Sequence, residues 1–191
     1  MTRPIAKLTA LMVLAASTAQ AGDFDAEMAA YLDSSVRSWA SDPIIIEAVT
    51  AQNATTASFD QAKIDGLDTS WRAQVGSSDA SLIEPVTTGP VADFLREHMA
   101  AAGGQITEII LMDAKGLNVA ASGVTSDYWQ GDEAKHADTF GVGPDAVHFG
   151  DIEFDESSQR YQAQISFTIT DPASGAPIGA MTVAVDGEAF M

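Results

Sequence analysis

The stretch RYQAQISFTIT, residues 160–170, decides the fold of this chain. Every second residue is apolar from Tyr161 to Ile169, and the residues between them are Arg160, Gln162, Gln164, Ser166 and Thr168. A period of two with one apolar face is typical of a β-strand that lies with that face on a core. The stretch therefore predicts a long strand of a sheet, with one apolar face.

Four other stretches predict strands on either side of it, at residues 106–112, 117–122, 147–154 and 178–186. Short turns connect most of them, at Asp113-Ala-Lys-Gly116, residues 155–158 and residues 171–175. Strands joined by short turns pair antiparallel, because a parallel pair needs a longer crossover. The sequence predicts a five-stranded antiparallel sheet, interrupted once by a long insertion.

Helical patterns fill the chain before this sheet. Phe24, Met28, Tyr31, Leu32, Ser35 and Trp39 share one face of a predicted N-terminal helix. Asp42 with Pro43 then begins a short helix over residues 44–53, residues 58–75 form a third, and Thr88 caps a fourth that starts near Pro90. Helices followed by strands indicate an α+β fold, with a helical part at 22–104 and a sheet part at 105–191 in a single domain over residues 22–191.

The first 21 residues have the pattern of a secretory signal peptide. Arg3 and Lys7 precede an apolar run at residues 8–16, and Ala19-Gln20-Ala21 fits a small-x-small cleavage site. We expect cleavage before Gly22 and export to a bacterial periplasm. The net charge of −18 disfavours nucleic acid and anionic membrane surfaces as partners. The chain has no cysteine, so disulfides and zinc–thiolate sites are excluded.

The insertion at residues 123–146 is the candidate functional segment, because loops of this length are usually functional or disordered. Tyr128 and Trp129 can bury a large area around a ligand and orient it through a hydroxyl and an indole N–H. Asp127 and Asp132 can add charge. The alternative is structural: the two rings plug the end of the sheet, and Asp132 caps a helical turn. Both interpretations stay open.

Two further positions complete the candidate ligand set. Tyr161 begins the central strand, and Asp171 ends it, either facing a pocket or forming the first position of an Asp-Pro turn. We expect Asp68 and Trp71 to hold the third helix against its neighbour.

Catalytic patterns are weak. No HExxH, GxSxG or phosphate-binding glycine loop occurs around the three histidines, His98, His136 and His148. The acidic residues Asp151, Glu153, Asp155 and Glu156 depart from calcium-loop spacing. We therefore expect no enzyme activity, no cofactor and no metal site.

Several motifs together resemble the Cache superfamily, the PAS-like extracytoplasmic sensor domains of bacteria, in their single-domain form. They are Leu67-Asp68-x-x-Trp71, ILMDAKGLNVAAS at residues 110–122, TSDYWQGDE at residues 125–133 and the last strand after Ile178-Gly179. The resemblance implies a five-stranded antiparallel sheet with a long N-terminal helix on one face. It also implies a small-molecule pocket on the other face, with Tyr128, Trp129 and Asp171 at the ligand.

Most relatives in that superfamily lie between two transmembrane helices and signal to a kinase or chemoreceptor module, whereas this sequence stops at Met191. The sequence therefore predicts a periplasmic sensory module without its own transmitter, which presents or buffers an amino acid, an amine or a short carboxylate. Its expected partners are that ligand, a membrane-bound sensor kinase or chemoreceptor, and a second copy paired through the N-terminal helix. The alternatives are an interaction protein with a vestigial pocket and a metal-dependent enzyme that uses His136.

Overall fold

A computed structural model describes residues 21–155 and 160–190 of the chain. The expected signal peptide falls almost wholly in residues 1–20 and lies outside the described residues, as does most of the turn expected at residues 155–158. Among the residues described, no helix combines the length and the apolar content that crossing a bilayer requires.

An antiparallel sheet forms the second half of the chain. Its strands are β1 (Ile106–Asp113), β2 (Asn118–Ala121), β3 (Val147–Phe149), β4 (Glu153–Asp155), β5 (Arg160–Thr170) and β6 (Pro177–Asp186). They follow the order β2-β1-β6-β5, and β3 and β4 both pair with the free edge of β5. The α+β fold with five strand positions is thus confirmed.

The strand predicted over residues 147–154 is wrong in one respect, because it is two short strands along one edge. Phe149 pairs with Ile165, and Glu153 pairs with Gln162. Between these two pairs the chain advances by four residues on the edge but by only three residues on β5. One extra residue on one strand is a bulge, which breaks the ladder and bends the strand.

The two faces of the sheet differ in character, as the alternation at residues 160–170 predicted. Ala163, Ile165, Phe167 and Ile169 lie in the main core together with Met181, Val183 and Val185 of β6 and Ile109 and Leu111 of β1. Ser166 and Thr168 lie on the opposite face, where the Ser166 hydroxyl is 2.9 Å from that of Thr182. Tyr161 is the exception on the apolar face, since 46% of its surface is exposed.

Helices cover the apolar face. They are α1 (Ala21–Tyr31), α2 (Arg37–Ala40), α3 (Pro43–Thr56), α4 (Gln61–Gln74), α5 (Glu84–Thr87) and α6 (Pro90–Ala101), and α7 (Ala134–Ala137) lies in the long insertion. A π-helical turn at Leu32–Val36 joins α1 to α2, so the predicted N-terminal helix is not α-helical throughout. The Asp42 cap is confirmed, since its carboxylate accepts the N–H of Ile44 at 3.0 Å.

The start of α6 corrects the prediction that Thr88 is its cap. Gly89 occupies the cap position with φ of +93°, a conformation that glycine adopts readily. The Thr88 hydroxyl instead donates to the carbonyl of Glu84 at 2.6 Å. That bond lies at the end of α5, a short helix that was not predicted from the sequence.

A second apolar group, here called the outer cluster, lies beyond the β2 edge of the sheet. Its buried members are Ile64, Trp71, Ile83, Val86, Leu117, Ala121 and Tyr128. They come from α4, α5, the β1–β2 hairpin and the long insertion. The outer cluster therefore fixes the insertion against the helices.

Candidate functional site

The first half of the insertion is bound to α4 by two side chains. One carboxylate oxygen of Asp68 accepts the backbone N–H groups of Tyr128 and Trp129 at 2.9 and 3.1 Å. The Trp71 indole donates to the carbonyl of Thr125 at 2.9 Å. Asp68 and Trp71 thus position the insertion, whereas the sequence indicated a contact between helices.

The same segment is also hydrogen-bonded to the β1–β2 hairpin. The Asn118 amide donates to the Thr125 hydroxyl and to the Asp127 carbonyl, both at 3.0 Å. Leu117 and Trp129 form an isolated antiparallel bridge. Residues 125–130 are therefore held on two sides, which is the condition for a preformed binding wall.

The Tyr-Trp pair packs behind this segment. Tyr128 is 8% exposed and stacks on Trp71 with ring centroids 5.3 Å apart. Burial, and then the charge of Asp113, raise the pKa of the Tyr128 hydroxyl to about 12. The Trp129 indole donates to the carbonyl of Lys115 at 2.8 Å. Both rings thus have structural contacts.

The second half of the insertion lies on the polar face of the sheet through α7. His136 of α7 is 7% exposed, stacks on Phe140 at 5.2 Å, and its Nε2 donates to the carbonyl of Asp113 at 3.1 Å. Burial lowers the pKa of His136, and the hydrogen bond to the Asp113 carbonyl and the charge of Asp113 oppose this effect in part. Burial therefore favours the neutral ring.

Acidification is expected to destabilise the fold through His136. Because its pKa is lower in the folded chain than in the unfolded chain, the unfolded chain binds the proton first as the pH falls. The stability contributed by the neutral ring is complete above a pH of about 6.5 and declines below it. Urea unfolding of the chain and of His136→Gln between pH 5 and 7.5 should show a steeper loss for the unsubstituted chain. Parallel curves would contradict this prediction.

A cleft of about 1010 Å³ opens between the polar face of the sheet and the insertion. It is here called the sheet–loop cleft. Gln162 and Gln164 of β5 and Thr107 of β1 form its floor, and Val124, Asp127 and Gln130 form the wall on the insertion side. It lies on the side of the sheet away from the helices, where the resemblance to Cache domains places a pocket.

The lining of the cleft is strongly acidic. Glu108, Asp127, Glu133, Asp151 and Glu153 contribute carboxylates, and Lys135 is the only basic residue in the lining among the residues described. The Lys135 ammonium lies 3.0 Å from a carboxylate oxygen of Glu133, and 11% of its side chain is exposed. This ammonium is therefore already paired, and the Asp127 carboxylate lies 3.6 Å from the guanidinium of Arg72.

The predicted ligand residues fall into separate places. Asp127 lines the sheet–loop cleft, whereas in the described part of the chain neither Tyr128 nor Trp129 does. Asp132 is exposed on the insertion. The structure thus brings one of these four residues to the cleft and places the aromatic pair behind its wall.

The last two predicted residues lie at the ends of β5. Tyr161 is an exposed partner of Phe154, with ring centroids 5.3 Å apart. Asp171 accepts the N–H of Ala173 and the hydroxyl of Ser174, at 2.9 and 2.8 Å. The Ala173 N–H, followed by the Ser174 hydroxyl, lowers the pKa of the Asp171 carboxyl. This is the turn geometry of the alternative interpretation.

Gln130, Gln162 and Gln164 were missed as site residues. The alternation at residues 160–170 carried a signal for the last two, because it placed them on the face away from the apolar core. Gln130 carried no such signal, since its burial depends on contacts with distant parts of the chain.

Tyr128 borders a second, smaller hollow of about 470 Å³ between α3, α4 and β2. Ala48, Ala51, Phe59 and Val119 give it a mainly apolar lining. It has about half the volume of the sheet–loop cleft, and its polar lining residues are Gln52, Thr55, Thr56 and Tyr128. The sheet–loop cleft is therefore the stronger candidate for binding.

Comparisons with known proteins give structural matches only. No protein-family model matches the chain, and no curated protein sequence matches it. The sensory domain of the Campylobacter jejuni chemoreceptor Tlp3 with bound isoleucine is 10% identical, with 90% of this chain and 66% of that chain covered and a TM-score of 0.39.

Two other solved structures are similar to the same extent. The sensor domain of the V. cholerae histidine kinase DctB is 12% identical, covering 87% of this chain and 58% of that chain, with a TM-score of 0.38. The ligand-binding domain of the Pseudomonas aeruginosa amino acid chemoreceptor PctC in complex with GABA is 15% identical, covering 88% and 62%, with a TM-score of 0.38. The chain thus spans about three fifths to two thirds of the length of these domains.

Proposed function

We propose that this chain is an extracytoplasmic sensory module of the Cache type that binds a small organic molecule in the sheet–loop cleft. The observation that carries the proposal is the cleft itself, a hollow of about 1010 Å³ between the polar face of the sheet and the insertion. Ligand sites are typically concave and of 300–1,000 Å³, with a few polar groups that converge on the ligand.

The way the cleft is built supports binding over a purely structural role. Its wall at residues 125–130 is held by Asp68, Trp71 and Asn118, so it does not need to be ordered by the ligand. Its floor carries amide groups, Gln162 and Gln164, in place of the apolar residues that would fill a core. A preformed polar hollow costs little ordering entropy on binding.

Two features agree with an exported sensor. The motifs that resemble those of Cache domains lie on the insertion, which lines the cleft, and on α4 and the β1–β2 hairpin, which hold the insertion in place. The signal-peptide pattern at residues 1–21 supports a periplasmic location for the module, which we take as a single domain over residues 22–191. A membrane-bound kinase or chemoreceptor is the partner that we propose for it.

The interaction-protein alternative has less support, because it requires an N-terminal helix with an exposed aromatic face. Trp39 is 8% exposed and Met28 is 2% exposed, both in the main core. This face of the helix contacts the sheet of its own chain. A metal-dependent enzyme also has less support, since the Nε2 of His136 already donates to the carbonyl of Asp113.

A blocked cleft tests the proposal. Gln164 lies on the cleft floor opposite Ala184 of β6, so Gln164→Trp has room to place an indole in the hollow. We expect a thermal-shift panel of amino acids, amines and short carboxylates to contain stabilising ligands for the unsubstituted chain. A ligand at 100 times its Kd adds about 2.7 kcal/mol of stability. Gln164→Trp should abolish that response.

The matched control is Gln61→Trp, the same exchange at an exposed position at the start of α4. It should leave the ligand response unchanged. A panel without any stabilising ligand, or a response that Gln164→Trp leaves intact, would contradict the proposed site.

A further inference from the structure

The charges of the sheet–loop cleft are unbalanced in a way that selects among small molecules. Five carboxylates line it, from Glu108, Asp127, Glu133, Asp151 and Glu153, against the ammonium of Lys135. That ammonium is paired with Glu133 at 3.0 Å, and the guanidinium of Arg72 lies 3.6 Å from the Asp127 carboxylate. A ligand carboxylate would therefore meet repulsion from several directions and would have to compete for cations that are already paired.

A buried amide at the cleft supplies an independent indication. Gln130 lines the cleft and is 1% exposed. Its Nε2 donates to the Asp127 carboxylate at 2.7 Å and to the Asp127 carbonyl at 3.3 Å. Both partners are pure acceptors, which fixes the orientation of the amide.

The remaining atom of that amide is an acceptor without a donor. Oε1 of Gln130 is buried and has no hydrogen-bond partner among the described residues, and the same holds for the hydroxyl of Thr107 on the cleft floor. Buried polar atoms of this kind cost free energy until they are paired. A donor on the ligand would satisfy Gln130.

The acidic groups reach the cleft from three parts of the chain. Glu108 lies on β1, Asp127 and Glu133 lie on the insertion, and Asp151 and Glu153 lie at the β3–β4 edge. Separated carboxylates match a cation whose charges are also separated. An extended molecule with an amino group at each end has that charge pattern.

Apolar side chains lie exposed among these charges. Phe154, Val124 and Val75 line the cleft and are 48%, 53% and 45% exposed. A hydrocarbon chain between two amino groups would cover part of this surface. The ring of Phe154 can also attract an ammonium group that lies over its face.

We propose that the ligand of the sheet–loop cleft is a linear aliphatic diamine, a dication with a short methylene chain and no carboxylate. This inference rests on the proposed function, because it names the ligand class of the same site. The carboxylates attract the two ammonium groups, and Oε1 of Gln130 accepts a hydrogen bond from one of them. The exposed apolar side chains of the cleft contact the methylene groups.

A series of four-carbon compounds tests the charge requirement, with binding to the purified chain measured by calorimetry. The compounds are 1,4-diaminobutane, butylamine, 4-aminobutanoate and butanedioate. We expect 1,4-diaminobutane to bind at least tenfold more tightly than butylamine, 4-aminobutanoate to bind more weakly than butylamine, and butanedioate not to bind. The affinity for the diamine should fall as salt is added.

Variants separate a built site from the general negative charge of the chain. Asp151→Asn and Glu153→Gln remove exposed carboxylates of the cleft and should each weaken diamine binding about fivefold, a typical size for one charge contact. Asp132→Asn is the matched control, because Asp132 is an exposed acid of the insertion outside the cleft lining. It should leave the affinity unchanged.

The possible failures are distinguishable. Tighter binding of 4-aminobutanoate or butanedioate that Gln164→Trp abolishes would overturn the diamine and keep the cleft as a binding site. Equal losses in Asp132→Asn and Glu153→Gln would reduce the diamine effect to nonspecific attraction and overturn the inference. A chain that binds no member of this series or of the wider panel would overturn the proposed function as well.

Discussion

Asp113→Ala is expected to lower the free energy of unfolding by about 4 kcal/mol, a loss typical of breaking a buried polar network. Asp113 has no exposed surface, and its carboxylate is fully used. One oxygen accepts the backbone N–H groups of Lys115 and Leu117 at 2.8 and 2.9 Å. The other accepts the Thr56 hydroxyl at 2.8 Å and the Gln52 amide at 3.3 Å.

The size of the effect comes from the donors that alanine would leave behind. The N–H of Leu117 is buried and would lose this acceptor, and an unpaired group of this kind costs roughly 1–3 kcal/mol. The Thr56 hydroxyl would keep only the carbonyl of Gln52, at 3.1 Å. The same change would also remove one link between the β1–β2 hairpin and α3, while the hydrogen bonds of Gln52 to the carbonyls of Leu117 and Asn118 and of the Ala114 N–H to Asn53 would remain. Asp113→Asn keeps one acceptor oxygen for the two backbone groups and should cost roughly half as much.

Asp171→Ala is the matched control. Asp171 forms the same kind of turn, with its carboxylate on the N–H of Ala173, but at the surface. Water can replace those hydrogen bonds, so the loss of stability should be much smaller. Urea unfolding of the three variants at neutral pH measures the difference. Similar losses for Asp113→Ala and Asp171→Ala would show that burial does not set the cost.

The sheet could be predicted from the sequence because its patterns are local. The alternation of apolar and polar residues in β5 predicted both the strand and the face of it that packs on the core. Strands β1 and β6 lack that alternation, since both of their faces are largely buried, as for Ile109 and Ile110 of β1. They were recognised from apolar content and from their bounding turns. The strand order was not predictable, because it depends on pairings between distant segments.

The site was predictable as a region and not residue by residue. The insertion was predicted to be the functional segment from its length and composition, and it lines the sheet–loop cleft. The sequence offered no way to see that Tyr128 would stack on Trp71, 57 positions earlier in the chain. A large aromatic ring stabilises the fold more when it is buried in an apolar cluster than when it stays exposed in an empty site. The wall of the cleft is therefore formed mainly by polar residues.

Trp71→Ala is expected to cost about 3–5 kcal/mol of stability, the usual range for deleting a buried aromatic side chain. Trp71 has no exposed surface and lies in the outer cluster between α4 and the insertion. The substitution removes the stack on Tyr128 and the indole N–H on the Thr125 carbonyl. Trp71→Phe keeps an aromatic ring for the stack and should cost less, while still leaving that carbonyl without its donor.

Trp71→Ala should also loosen the wall of the sheet–loop cleft, because Thr125 and Asp127 belong to that wall.

Trp39→Ala provides the comparison. Trp39 is 8% exposed, its indole donates to the Ser35 carbonyl at 2.7 Å, and it lies in the main core on the opposite face of the sheet. Both variants should lose similar stability. Under conditions where both remain folded, only Trp71→Ala should lose ligand affinity, by about tenfold or more if the wall contributes one good hydrogen bond. Equal loss of affinity in both variants would mean that ligand affinity follows the overall stability of the fold. Trp71 would then have no specific part in positioning the wall of the cleft.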